Sequence, residues 1–114
     1  MPGSIPVLRV RFFHTTEGRE PVREWLKGLP ADERKAIGDD IRTVQFGWPL
    51  GMPLVRSLGG GIWEVRTGLK TRIARVLFSM FQGQAVLLHG FIKKSQETPG
   101  DAIRLARQRK RGLT

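Results

Sequence analysis

Arg72-Ile73-Ala74-Arg75-Val76-Leu77-Phe78-Ser79-Met80-Phe81-Gln82-Gly83-Gln84-Ala85-Val86-Leu87-Leu88-His89-Gly90-Phe91-Ile92-Lys93 is the stretch that decides the fold. Two apolar, β-prone runs flank Gln82-Gly83-Gln84, so the pattern predicts strands over Arg72–Phe81 and Ala85–Lys93 joined by a hairpin loop. Period 2 places Arg72, Ala74, Val76 and Phe78 on one face of the first strand, with Ile73, Arg75 and Leu77 on the other. On the second strand Leu87, His89, Phe91 and Lys93 stand opposite Val86, Leu88 and Ile92. The aliphatic triplet is expected to face the helices. His89, Phe91 and Lys93 then belong to the open face or its rim, where Arg66 and either Arg72 or Arg75 join them.

Working upstream, Ile62–Arg66 alternates as a further strand and Thr67-Gly68-Leu69 makes a turn. Leu54–Leu58 is a short strand before the flexible run Gly59-Gly60-Gly61. Three strands in succession with short loops imply an antiparallel meander. Val7–Phe13 is a strand near the N-terminus, and Thr15–Arg19 is a polar turn. Val22, Trp25, Leu26 and Leu29 then follow helical spacing, with Pro21 in the first turn and Gly28 and Pro30 at the end. A second helix is expected over Ala31–Phe46 with Ile37, Ile41 and Val44 inward. Asp32 and Glu33 suit the positive end of its dipole, and the short link implies an antiparallel helical hairpin. The fold class is therefore α+β, with an N-terminal strand and helical hairpin packed on one face of an antiparallel sheet. A last helix begins at Thr98-Pro99-Gly100-Asp101, with Thr98 as its cap. It has only Ala102, Ile103, Leu105 and Ala106 for apolar contact, so it is expected to dock loosely.

The 114 residues fit one domain, 1–114, in which 99–114 is a basic C-terminal helix or tail. There is no cysteine, and His14 and His89 are the only histidines, so no metal or other cofactor is expected. No apolar run approaches the roughly 20 residues of a membrane span. The N-terminus has no charged start and apolar stretch of a secretory signal, which makes the cytoplasm the expected compartment. Charge is distributed unevenly. Residues 1–50 carry 8 Lys/Arg against 7 Asp/Glu, whereas residues 51–114 carry 12 against 3, giving nearly all of the net +10 to the second half. Such a field collects polyanions and fits a nucleic acid better than a membrane, since the basic C-terminal segment has no bulky aromatic anchors.

Cleaving an RNA phosphodiester with side chains alone needs a base for the ribose 2′-OH, cations for the charge building on phosphate and an acid for the leaving oxygen. His89 can carry the proton, arginines offer a planar fork to phosphate, and lysine a point charge. Phe91 can stack on a splayed base. Other readings of the same residues exist: His89 as a structural strand histidine, and Arg66, Arg72 and Arg75 as cross-strand partners of Glu64. Gly59-Gly60-Gly61 is not followed by Gly-Lys-Ser/Thr, so it is no nucleotide P-loop. Paired-carboxylate, zincin and Ser-His-Asp signatures are missing as well.

The order strand, helix, helix, meander resembles the RelE/HigB superfamily of type II toxins, and within it the phage-derived HigB-like branch. The stretches that carry the resemblance are Pro21–Leu26, Gly61–Arg66, Arg72-Ile73 and, most specifically, Leu87–Pro99. It covers roughly residues 7–110. It implies a RelE-like fold and a toxin that enters the ribosomal A site and cuts messenger RNA without a metal. It also implies neutralisation by a co-expressed helix-turn-helix antitoxin. Arg66, Arg72, His89, Phe91, Lys93 and Lys94 match recurrent family positions, and all of them but Phe91 are the expected catalytic residues. Arg75, Phe91 and, on the last helix, Arg104, Arg107, Arg109 and Lys110 are the expected RNA contacts. The chain has no tyrosine, and Arg75 stands where an aromatic residue is common in the family, so a tyrosine-based mechanism is excluded. The alternative from another class is a non-enzymatic nucleic-acid-binding or regulatory protein whose basic half only grips backbone.

Overall fold

A computed structural model describes residues 5–93 and 97–113. The chain runs β1 (Arg9–Phe12), α1 (Pro21–Lys27), α2 (Ala31–Gly47), β2 (Val55–Gly59), β3 (Ile62–Gly68), β4 (Ile73–Phe81), β5 (Gln84–Lys93) and α3 (Gly100–Arg111). The five strands form one sheet in the order β1-β5-β4-β3-β2. The predicted meander is present from β2 to β5. The sheet as a whole is mixed and not antiparallel, because β1 pairs parallel to β5 with Arg9 opposite Gln84 and Phe12 opposite Leu87. The two helices between β1 and β2 carry the chain back over the sheet, so β1 can enter in the same direction as the last strand.

The β4–β5 hairpin turns on Gln82 and Gly83, both at positive φ (52° and 74°). That is the conformation a two-residue hairpin demands, and glycine adopts it without steric cost. Ile37 and Val44 of α2 and Val22 of α1 bury themselves against Val65, Val76, Phe78 and Leu87 on one sheet face. The α1 helix lies over β5 and α2 over β3. Trp48, Trp63 and Phe78 close one end of this core, with Trp48 edge-on to the other two at ring separations of 5.4 and 5.5 Å.

The second face is covered too. Ala102 and Ala106 of α3 are buried against Ile62, Leu77, Val86 and Leu88, so the C-terminal helix is firmly seated where loose docking was expected. Small alanines let the helix lie close to the sheet, and the Arg109 guanidinium ties its last turns down by donating to the Leu88 carbonyl at 2.7 Å. Thr98 does not cap this helix. Pro99 takes the cap position with no side-chain bond, while the Thr98 hydroxyl donates to the Glu64 carboxylate.

Strict alternation also breaks in β5. Leu77 pairs with His89 but Phe78 pairs with Leu87, which leaves Leu88 as the extra residue of a bulge. Val86, Leu88, His89 and Phe91 consequently all face α3, and Ile92 turns to the α1/α2 side. The expectation that Val86, Leu88 and Ile92 share one face opposite His89 is corrected by that single inserted residue. Gly90 then points at α1, where an added Cβ would lie 2.3 Å from Cε3 and 2.4 Å from Cζ3 of Trp25. Gly90→Ala is therefore expected to lower stability by about 1–3 kcal/mol through overpacking, with a change in tryptophan emission. Denaturant unfolding followed by fluorescence checks it, and wild-type stability would contradict the packing described.

Candidate active site beneath the C-terminal helix

Strand pairing fixes two rows of side chains across the α3 side of the sheet. The first runs Arg56, Glu64, Leu77, His89, from β2 to β5. The second runs Arg66, Arg75, Phe91. Neighbouring strands stand about 4.8 Å apart, so a cationic side on β2 and β3 faces an aromatic side on β5 across the buried Leu77 and Arg75.

Glu64 organises the cationic side. Its carboxylate has 0% exposure, which is tolerable only with compensating partners. Arg66 Nε lies 3.3 Å from one carboxylate oxygen and Arg75 Nε 3.9 Å from the other, and Thr98 donates its hydroxyl to the second. Arg75 is itself fully buried and donates from Nη1 to the Glu97 carbonyl at 2.7 Å. Burial lowers its pKa from the ordinary arginine value, Arg66 and Arg56 push the same way, and Glu64 opposes them. Arg75 thus ties sheet and α3 approach together. The expected RNA contact at Arg75 is corrected, because its guanidinium is enclosed by the fold. The Arg66 side chain keeps 13% exposure, so it stands at the margin of the cluster.

His89 and Phe91 make up the other side, with their rings stacked at a centroid separation of 5.3 Å and both half-buried. Burial lowers the His89 pKa below 6.5, the nearby Arg109 charge adds to the shift, and Asp101 in the first turn of α3 opposes it. At neutral pH the imidazole is therefore uncharged and able to accept a proton.

The remaining expected site residues are scattered. Arg72 turns toward α2, where Nη2 donates to both carboxylate oxygens of Glu33 at 2.7 and 2.8 Å. In this structure it is paired with Glu33 and not set beside Arg66, while its side chain stays 40% exposed. Lys93 is exposed at the end of β5, and Lys94 lies outside the described residues. On α3, Arg104 and Arg107 are exposed. Arg107 and Lys110 lean over the Gly59-Gly60-Gly61 turn, whose three residues all have positive φ. Arg109 is half-buried and serves the fold through its bond to Leu88. Among the described residues no three His, Asp or Glu side chains converge as metal ligands, and no helix is long and apolar enough to cross a membrane.

Arg56 and Asp101 are the site members that sequence reasoning missed. Arg56 sits in an alternating Val55-Arg56-Ser57-Leu58 run whose pairing partner could not be known. The available signal was Glu64 itself, since residues 51–96 contain no other acid.

The sequence matches the family model described as "Phage derived protein Gp49-like (DUF891)" over residues 24–111. The chain belongs to this Gp49-like family. The family is a RelE/HigB-like toxin family of toxin–antitoxin systems, which implies an antitoxin partner. No curated protein matches the chain. The matched span of this Gp49-like chain begins in α1 and ends with the last residue of α3, so both rows of the site fall inside it.

The His89 environment generates a pH prediction. Its folded pKa lies below the unfolded value near 6.5, so the unfolded chain binds more protons between the two. This contribution to stability is complete above about pH 6.5 and is lost as pH falls through the folded pKa. The difference in Tm between the parent and His89→Gln, followed from pH 8 to pH 5, should shift in favour of the variant on acidification. A difference independent of pH would contradict the assignment.

Proposed function

We propose that this Gp49-like chain is the toxin of a type II toxin–antitoxin pair, an endoribonuclease that cuts messenger RNA on the ribosome with its own side chains. The observation that carries the reading is the proton-accepting His89, stacked on Phe91, set across the sheet from Arg66 in a strongly basic half of the chain. Neutral His89 takes the proton from a ribose 2′-OH, and that oxygen attacks the adjacent phosphorus. The bond from phosphorus to the 5′-oxygen breaks, leaving a 2′,3′-cyclic phosphate and a 5′-hydroxyl once the leaving oxygen is protonated. Arg66 stabilises the extra negative charge on the phosphoryl oxygens, where a preorganised guanidinium is most effective. Lys93 and Lys94 are the proposed supply of further positive charge and of the leaving-group proton. Phe91 supports a base flanking the cut. Arg104, Arg107 and Lys110 hold RNA backbone without reading sequence. The proposed antitoxin is a helix-turn-helix protein that covers this face or the basic α3.

Induction of the chain alone in a bacterium should stop translation, with transcripts cut inside coding regions, and co-expressed antitoxin should restore growth by direct complex formation. In single-turnover cleavage on programmed ribosomes, His89→Ala should lose about 10²–10⁴ in rate. Arg66→Ala should lose roughly 10- to 150-fold, both variants first being shown to melt as folded proteins. Continued growth with soluble protein accumulating, or a folded His89→Ala that cuts at the parent rate, would overturn the reading.

A further inference from the structure

A groove outside the two catalytic rows runs between the β1–α1 loop and the C-terminal half of α3. Its volume is about 370 Å³, and Phe13, His14, Thr16, Leu105, Gln108 and Arg109 line it. A second, narrower recess continues it past Phe13 and His14 toward Arg11 and Leu113. The volume lies within the range of small-ligand sites, and the lining combines a few polar groups with apolar walls as such sites do.

Its chemistry is specific. The Arg109 guanidinium lies over the Phe13 ring at 5.5 Å, which sets a planar cation and an aromatic ring together at the groove wall. Arg109 is held there by its bond to the Leu88 carbonyl, and the Phe13 amide donates to Leu87 at 3.0 Å. The wall is therefore built and not a chance meeting of surface side chains. Around it stand groups that read the edge of a flat heterocycle: the Gln108 amide with a donor and an acceptor, the His14 ring, and the Thr16 hydroxyl. Gln108, His14 and Thr16 are exposed, and the Thr16 hydroxyl, which donates to the Glu17 carboxylate at 2.6 Å, offers its oxygen as an acceptor.

The groove is also placed with respect to the site. Asp101 lies near His89, and Leu105 and Arg109 follow it at intervals of four residues along the same stripe of α3. That spacing covers roughly 6 and 12 Å of the helix, and because Arg109 at its far end also acts on His89, the groove adjoins the site. The bond acceptor of Arg109 is moreover the residue next to His89.

We infer that this groove is a nucleobase subsite, which receives an unpaired base of the RNA strand one or two nucleotides from the bond that is cut. The inference rests on the ribonuclease reading for its location relative to the cut, though binding of the base can be measured without any cleavage.

The test uses the full ¹⁵N-labelled chain and a short single-stranded oligoribonucleotide whose 2′-oxygens are methylated, so that it cannot be cut. The expected result is a saturable shift of the Gln108 side-chain amide, the Arg109 Nε–H and the backbone amides of Phe13 to Thr16. An abasic oligomer of equal length and charge should leave those signals in place. Adenosine monophosphate alone should bind the groove more weakly than the oligomer. The double variant His14→Ala/Gln108→Ala, altered only at exposed positions, should bind the oligomer about 5- to 30-fold more weakly. Phe13→Leu, which keeps bulk but loses the ring, should weaken it by about 5-fold or more.

Equal shifts with the abasic oligomer, no shift with the base-bearing one, tighter binding of the free nucleotide, or unchanged affinity in the folded double variant would each overturn the subsite. Base binding in the groove by a protein that never cuts messenger RNA would instead overturn the ribonuclease reading alone. Conversely, cleavage whose rate and base preference survive the double variant, with the groove signals unmoved, would overturn the subsite alone.

Discussion

A carboxylate with no access to water must be compensated where it lies, and the α3 side of this sheet is arranged around that requirement at Glu64. Arg66 and Arg75 approach its two oxygens and Thr98 donates to it. Arg75 in turn holds the Glu97 carbonyl. Breaking such a buried pair from one side typically costs about 3–5 kcal/mol, a large share of the 5–15 kcal/mol that holds a domain of this kind folded. The network therefore fixes two things together: the direction in which Arg66 presents its guanidinium, and the path by which the chain enters α3. The rest follows from that path. With α3 seated on Ala102 and Ala106, the charges of Asp101 and Arg109 both act on His89, and one wall of the groove is set against Phe13.

Charge balance explains how such a cluster would suit the proposed RNA strand. Arg66 and Arg75 flank one carboxylate and Arg56 stands opposite it on β2, so the cluster carries more positive than negative charge. Arg75 lies inside and serves geometry, while Arg66 at the edge retains contact with solvent. His89 is kept neutral by burial beside a cation. A neutral imidazole near a fixed positive charge suits removal of a proton followed by stabilisation of phosphate charge.

Much of the fold was legible in the residues. The alternation of β3 and β4, the helical spacing of Val22, Trp25, Leu26 and Leu29, and the Gln82-Gly83 hairpin each express a local preference that the tertiary structure keeps. What the residues could not disclose were non-local pairings. The bulge at Leu88 depends on how β5 registers against β4, and it alone moves Val86 and Leu88 to the side of His89 and Phe91. Arg72 carries the same pattern as a phosphate ligand or an ion-pair donor, and its pairing with Glu33 depends on where α2 lies. Thr98 satisfies every local rule for a helix cap, yet a buried carboxylate is a stronger attractor for its hydroxyl than an amide that solvent can also serve. Docking of α3 was underestimated because alanine pairs signal close approach only when the opposing surface is known.

The central claim is that His89 and Arg66 work on one phosphodiester. It is tested most directly by the chemistry of the RNA ends left when the purified chain acts on messenger RNA in programmed ribosomes. The account predicts upstream fragments ending in 2′,3′-cyclic phosphate and downstream fragments beginning with a 5′-hydroxyl, produced by the parent and not by folded His89→Ala. Fragments with 3′-hydroxyl and 5′-phosphate ends, or messenger RNA that is bound in a salt-dependent manner but left whole, would contradict it.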